Sequence, residues 1–252
     1  MTARFVLAAM LVCCTNASTN SVAQSRPAPD EIVWGCGGWA GYYSPTTEYA
    51  HGVLGDDLEY TVLLIMRPTA LGAIPSMSEL PSGMVYEDVA PRCGDLDDDG
   101  DQDVVTVISD AVGGARLAVY LNGPRNAIET PPIGQGFRWL APAGIADFDG
   151  DGQNDVAYVE TPHIGGILRV WTMRNGTLAQ IASMHNFSNH RIGEDFITGG
   201  VRDCGDGPEL VLPNFNWTQL MMVRWKSNGL AAYVIASTTD IGTISRALAC
   251  ED

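Results

Sequence analysis

The sequence is poor in basic residues: 14 Lys and Arg stand against 30 Asp and Glu, which gives a formal net charge of −16 at pH 7. This charge repels phosphate backbones and anionic lipid, so we expect neither nucleic acid nor an anionic membrane as a partner. Ten of the acidic residues fall in two short stretches, residues 95–103 and 147–155. The acidity is therefore partly local, and these stretches are the first candidates for a site.

The common catalytic motifs are also missing. The chain contains no G-x-S-x-G, no H-E-x-x-H and no phosphate-binding loop. His185, His190 and Glu194 group in sequence, but their spacing is not helical and the segment is loop-like, so we expect surface histidines. We predict no catalytic residue and favour a protein that is not an enzyme. The alternative is a secreted glycan hydrolase or lyase whose carboxylates converge only in the folded chain.

Long helical periods are absent as well. Glycine at 28 and proline at 14 residues separate β-branched and aromatic runs, which favours short strands and many turns. We predict an all-β fold that forms a single domain over residues 24–252.

Long apolar runs are scarce. The run near the amino terminus, Phe5 to Cys14, has ten residues, too few to span a bilayer. With Arg4 before it and the small residues Ser21 and Ala23 after it, this run predicts a cleaved export signal over residues 1–23. The protein would then be secreted or periplasmic. A lipid anchor at Cys14 is a minor alternative.

Cysteines are few but even in number after the predicted signal. Export would place them in an oxidising space, and the lack of any C-x-x-C pair favours two disulfides over a zinc site. Three pairings are open for Cys36, Cys93, Cys204 and Cys250. Cys36 and Cys250 lie near the two ends and are placed to tie them together.

The two acidic stretches share the pattern D-x-D-x-D-G-x-x-D. Carboxylates at positions 1, 3, 5 and 9 converge only if the backbone coils tightly, which a glycine at position 6 permits, and position 7 then offers a carbonyl. Hard oxygens without thiolate or imidazole suit Ca²⁺. Solvated acidic turns are the alternative, but two matches in the same phase, each followed by an apolar run, favour two calcium sites. Thr106 and Tyr158 at position 12 exclude an EF-hand.

The same order of motifs recurs around each loop. Asp95 and Asp147 lie 52 positions apart, a spacing typical of a propeller blade. The clearest repeats are residues 84–141, 142–197 and 198–243. The third has a shortened loop with Asp203, Asp206 and Glu209, where we expect no metal. We interpret residues 245–252 as one strand of a further copy that closes the fold.

Together, the loops, the strands before them and the D-V-V-T-V and D-V-A-Y-V runs after them resemble the FG-GAP or VCBS repeats. These repeats build the calcium-bearing β-propeller of integrin α chains and of many exported bacterial proteins. The resemblance covers about residues 84–229 and implies a β-propeller. The repeats in this sequence predict a small propeller of about four to five blades, which departs from the family in repeat number. The resemblance also implies side-chain ligands from Asp95, Asp97, Asp99 and Asp103 and from Asp147, Asp149, Asp151 and Asp155, with carbonyls from Asp101 and Gln153.

We expect calcium to be structural in such a protein. Binding of a protein or carbohydrate ligand would then fall to aromatic side chains and loops. The candidates lie in glycine-, proline- or asparagine-rich segments, and they are Trp39, Tyr42, Tyr43, Trp139 and Trp217. Aromatic rings in such segments anchor peptides or stack on sugars, but packing in the core is the commoner use.

Overall fold

The structure is a computed structural model that describes residues 23–25, 33–34, 38–69, 72–121, 127–227 and 229–251. Within these residues the chain forms nineteen strands and one helix, which confirms the all-β prediction. The strands are β1 (Ala23–Ser25), β2 (Val33–Trp34), β3 (Trp39–Thr46), β4 (Glu59–Thr69), β5 (Gly72–Glu79), β6 (Met84–Tyr86), β7 (Arg92–Gly94), β8 (Asp103–Asp110), β9 (Arg116–Tyr120), β10 (Ile128–Glu129), β11 (Leu140–Ala146), β12 (Asp155–Glu160), β13 (Ile167–Arg174), β14 (Thr177–His185), β15 (Phe196–Thr198), β16 (Gly200–Asp203), β17 (Pro208–Pro213), β18 (Leu220–Lys226) and β19 (Gly229–Ala236). The helix is α1 (Ile241–Leu248).

Sixteen of these strands form four antiparallel units that follow one another along the chain. Unit one is β2 to β5, unit two β7 to β10, unit three β11 to β14 and unit four β16 to β19, and within each unit consecutive strands pair. Four four-stranded units fit the lower end of the predicted number of blades. Their closure into a ring stays a prediction.

The burial of each strand follows its place in its unit. β8 and β12 are second strands, covered on both faces, and their sequences DVVTVISD and DVAYVE are almost continuously buried. β14 is a fourth strand at the edge of its unit, and all its residues are exposed or only partly buried. The apolar runs that follow the acidic loops are therefore interior strands.

Two further sets of pairings involve strands outside the units. β6 pairs with both β4 and β8, so units one and two form one continuous sheet. β1 pairs with β15, which lies between units three and four.

The first strands of units two, three and four are neighbours, and glycines lie where they contact one another. A Cβ on Gly94 of β7 would lie 2.7 Å from Ile145 Cγ2 of β11, and a Cβ on Gly144 would lie 2.2 Å from Val201 Cγ2 of β16. Both distances are shorter than a carbon–carbon contact allows. Glycine at these positions lets neighbouring units approach closely.

Two predictions about local structure are wrong. The interpretation of residues 245–252 as a closing strand fails, because residues 241–248 form α1 and pack on unit four. Ile244 and Leu248 are four residues apart and share the buried helix face, and the Asp240 side chain caps the first turn by accepting from the Thr243 amide. Three prolines within residues 67–83 predict an irregular segment, but β5 lies in this range.

The structure shows part of the pairing of the four cysteines. Cys204 and Cys250 form a disulfide, so the suggested tie between Cys36 and Cys250 is wrong. Cys93 is also disulfide-bonded. Cys36 and the predicted signal up to residue 22 lie outside the described residues. Of the helices in the described part of the chain, none is long and apolar enough to cross a membrane.

Candidate metal centre

Loop one, residues 95–102, connects β7 to β8. Asp95, Asp97 and Asp99 each direct a carboxylate oxygen to a common region, and these three oxygens lie within 4.8 Å of one another. Asp95 Oδ2 accepts from the Gly100 amide at 3.0 Å, and Gly100 has a φ of +89°, which strongly favours glycine. The glycine at position 6 therefore makes the tight turn that the sequence pattern predicts.

Asp103 closes loop one from the start of β8. Its side chain is fully buried, and its Oδ2 accepts from the Leu96 amide at 2.8 Å. The carboxylate at position 9 thus holds the backbone at position 2. The exposed Asp101 is at position 7, where its amide donates to Asp99 Oδ1.

Loop two, residues 147–154, connects β11 to β12 and repeats these contacts. Asp147, Asp149 and Asp151 again bring one oxygen each within 4.8 Å of the others. Asp147 accepts from the Gly152 amide at 2.9 Å, and Asp155 accepts from the Phe148 amide at 3.1 Å. The two copies of the sequence pattern therefore fold into the same loop structure.

The electrostatics of both loops favour a bound cation. Burial, and next the charge of Asp99, raise the pKa of Asp97. Burial is also the main cause that raises the pKa of Asp155 to about 6. Within the described residues, Asp95 Oδ1 and Asp97 Oδ1 are buried oxygens without a hydrogen-bond partner. Buried carboxylate oxygens that lack donors are what a hard cation would satisfy, so the residues present fit calcium.

The shortened third loop, in unit four, has replaced this arrangement. Glu209 is the second residue of β17, whereas Asp103 is the first residue of β8, and both are buried, Glu209 with 2% exposure. Arg202 Nε lies 2.7 Å from Glu209 Oε1, and Arg224 Nη2 lies 2.6 Å from Oε2. Two guanidinium groups therefore supply positive charge to the Glu209 carboxylate, and the absence of a metal from this loop stays a prediction.

A histidine cluster lies at the other end of the sheets, and sequence reasoning missed it. β11 runs into loop two and β12 runs away from it, so the β12–β13 hairpin that carries His163 lies opposite the loop. His163 Nε2 lies 2.9 Å from His190 Nδ1, and Trp139 stacks on His163. His190 is only 1% exposed, so its interpretation as a surface residue is wrong, whereas His185 is exposed.

The hydrogen bonds assign tautomers within this cluster. The Glu194 carbonyl can only accept, so His190 Nε2, 2.8 Å away, carries a proton. A neutral His190 then accepts at Nδ1 from His163 Nε2. Burial lowers the pKa of both imidazoles to about 4, so both are neutral at pH 7. Nearby, His51 Nδ1 lies 2.5 Å from Oε1 of the fully buried Glu87.

The candidate aromatics divide between core and surface. Tyr42 and Trp139 are buried, and Trp139 Nε1 donates to the Glu87 carbonyl at 2.7 Å. Trp39 and Tyr43 are partly exposed. Trp217 is also partly exposed, but the Arg191 guanidinium covers its ring at 3.7 Å from the centroid. Two of the five rings therefore pack in the core, and the other three reach the surface.

Comparison with known families supports the interpretation of the loops. The model of the FG-GAP-like repeat matches residues 95–158, from the first residue of loop one into β12. The resemblance predicted from the loop motifs is thereby confirmed for this segment. Searches of curated proteins and of solved structures found no match to the chain.

Proposed function

We propose, from the premise that residues 95–158 form an FG-GAP-like repeat, that the protein is an exported calcium-binding module whose role is to bind a ligand. The observation that carries this proposal is the repeated loop: two D-x-D-x-D-G-x-x-D segments with equivalent hydrogen bonds and three converging carboxylates each. The disulfide between Cys204 and Cys250 supports an oxidising location.

Calcium would be held by side-chain oxygens of Asp95, Asp97, Asp99 and Asp103 in loop one and of Asp147, Asp149, Asp151 and Asp155 in loop two, with the Asp101 and Gln153 carbonyls. The cation would supply the positive charge that these crowded carboxylates lack. Asp103 and Asp155 hold the backbone at position 2, and the glycines at position 6 set the turn. These are structural tasks, so we assign calcium a structural role.

Ligand binding is assigned to the end opposite the loops. Exposed apolar side chains gather there on hairpins and linkers: Val112 at 86%, Phe137 at 45%, Ile164 at 61% and Ile192 at 71% exposure. Three of these four are aliphatic and offer no ring for a sugar to stack on. This composition favours a protein ligand over a carbohydrate. Titration with cello- and chito-oligosaccharides, followed by tryptophan fluorescence, should give no saturable change.

The second candidate is an enzyme, and the histidine cluster is the observation that favours it. A neutral histidine pair, together with the partly exposed His51 and its buried partner Glu87, offers groups for proton transfer. The test is hydrolysis or lyase activity on soluble polysaccharides, with His163→Asn as the control. Turnover that His163→Asn abolishes would favour the enzyme, whereas no turnover leaves the binding module as the better proposal.

The calcium proposal is tested by calorimetric titration and by thermal unfolding in calcium and in chelator. If calcium binds only the folded state at about a hundredfold above its dissociation constant, each site adds about 2.7 kcal/mol of stability. Two binding events and a lower melting temperature in chelator are expected. No binding and no shift would reduce both loops to acidic turns.

A further inference from the structure

Loop two touches loop one through two side chains. Asn154 Nδ2 donates to the Asp95 carbonyl at 2.9 Å, and Gln153 Nε2 donates to the Leu96 carbonyl at 2.8 Å. Both donors are amide side chains, and both are partly shielded from solvent. The bonds join units two and three where the first strands, β7 and β11, run into their loops.

The two acceptors belong to the residues that shape loop one. Asp95, at position 1, supplies a carboxylate to the candidate site and also accepts from the Gly100 amide. Leu96, at position 2, donates its amide to Asp103 Oδ2. Gln153 and Asn154 therefore bind the carbonyls of Leu96 and Asp95. These are the residues whose backbone amide and side chain, respectively, stabilise loop one.

The donors are in turn positioned by loop two. The backbone amide of Gln153 donates to Asp151 Oδ1 at 2.9 Å. A carboxylate of the candidate site therefore fixes the backbone from which the Gln153 side chain extends. Asn154 lies directly between Gln153 and Asp155, which closes the loop. An ordered loop two therefore presents both donors, and a disordered loop two withdraws them.

We propose that the two calcium sites are energetically coupled and that the Gln153 and Asn154 side chains couple them. The proposal rests on the calcium function proposed above. Coupling of this kind is reciprocal, so occupancy of either loop raises the calcium affinity of the other by the same factor. One neutral hydrogen bond changes an equilibrium constant by about twofold to tenfold. With two bonds, a coupling factor of at least about threefold is expected.

Loop one provides a matched control at the same loop position. Its position 8 is Gln102, whose carbonyl accepts from Arg67 Nη2 of unit one at 2.9 Å. Gln102→Ala therefore removes an amide side chain from the same position of a calcium loop and leaves the contacts between the loops in place. Gln153→Ala keeps the backbone carbonyl at position 7, so the proposed ligand set is unchanged.

The experiment measures calcium binding by calorimetry in three backgrounds of the full chain: the parent, Gln153→Ala/Asn154→Ala, and Gln102→Ala. In each background Asp149→Asn disables loop two and Asp97→Asn disables loop one, which gives the two single-site association constants. The overall two-site constant divided by their product is the coupling factor. As a second readout, hydrogen exchange of the Gly100 amide reports the order of loop one when loop two is disabled.

A coupling factor of at least about threefold in the parent and in Gln102→Ala, and of about one in Gln153→Ala/Asn154→Ala, is expected. Gly100 exchange should accelerate on loss of loop two in the parent but not in the double variant. Two sites with a factor of one in the parent would overturn the coupling and leave the calcium function standing. A factor that survives in the double variant would overturn the role of these residues, and no calcium binding would overturn both proposals.

Discussion

Substitution of Arg202 by methionine tests whether the arginines, rather than a metal ion, balance the charge of the buried Glu209 in unit four. The Arg202 and Glu209 side chains are 4% and 2% exposed, and their charged atoms lie 2.7 Å apart. Removal of one partner from a buried pair costs about 3–5 kcal/mol, because the other charge stays buried. Arg224 remains 2.6 Å from Glu209, which places the expected loss at the lower end, about 3 kcal/mol.

Arg224→Met is the matched control, since it removes the second guanidinium from the same carboxylate. The Arg224 side chain is 23% exposed, and an ion pair that is open to solvent contributes about 1 kcal/mol or less. Arg202 also donates to the Ala247 carbonyl of α1, so Arg202→Met loosens the helix as well. The two variants should therefore differ by about 2 kcal/mol.

The assay is urea unfolding at pH 7, in saturating calcium and in chelator. For a chain of this size, about 3 kcal/mol corresponds to a fall in melting temperature of roughly 6–12 °C. Because unit four uses arginines, the loss from Arg202→Met should be the same with and without calcium. Equal losses in the two variants, or a loss from Arg202→Met that appears only in chelator, would refute the reasoning.

Three further predictions concern the loops, the histidine cluster and the packing of units. Asp97→Asn should weaken calcium binding in titration, whereas Asp98→Asn at the exposed position 4 should not; equal effects would mean that general acidity, not position, binds the ion. The pKa of His190 is lowered to about 4 from 6.5, so the unfolded chain takes up its proton first, and stability falls as the pH drops from 6.5 to 4. Urea unfolding of the parent protein should show a loss of about 3 kcal/mol over this pH range, and the loss should be smaller in His190→Asn. The same pH dependence in the parent and in His190→Asn would contradict the prediction. Gly144→Ala should lower the free energy of unfolding by about 1–3 kcal/mol in the same assay, because the added Cβ would clash with Val201. An unchanged stability would mean that β11 and β16 can move apart without cost.

The loops were the most predictable part of the molecule. The D-x-D-x-D-G-x-x-D pattern specifies backbone conformation residue by residue, so the turn at Gly100 and the interior strands after each loop followed from local chemistry. The contacts between loops did not follow, because Gln153 and Asn154 act on residues more than 50 positions earlier.

The errors have physical causes of the same kind. β5 contains Pro75, which argues against a strand interior. Within the described residues, however, β5 pairs with β4 alone and lies at an edge, where a missing N–H is tolerated. The helix α1 is only eight residues long, which is too short for a helical period to stand out in the sequence. The cluster around His163 and His190 consists of side chains from separate linkers, so no spacing in the sequence predicts it.

The pairing of β1 with β15 has a consequence for the order in which the chain folds. Gln24 lies opposite Ile197, 173 positions later, and the partner strand sits beyond units two and three. So distant a pairing is slow to form, since the intervening chain must be organised before its ends can meet. The amino-terminal strand is therefore set in place late, after the middle of the protein has taken shape. A chain still emerging from its site of synthesis or from a translocation channel cannot complete its fold until residue 198 is free.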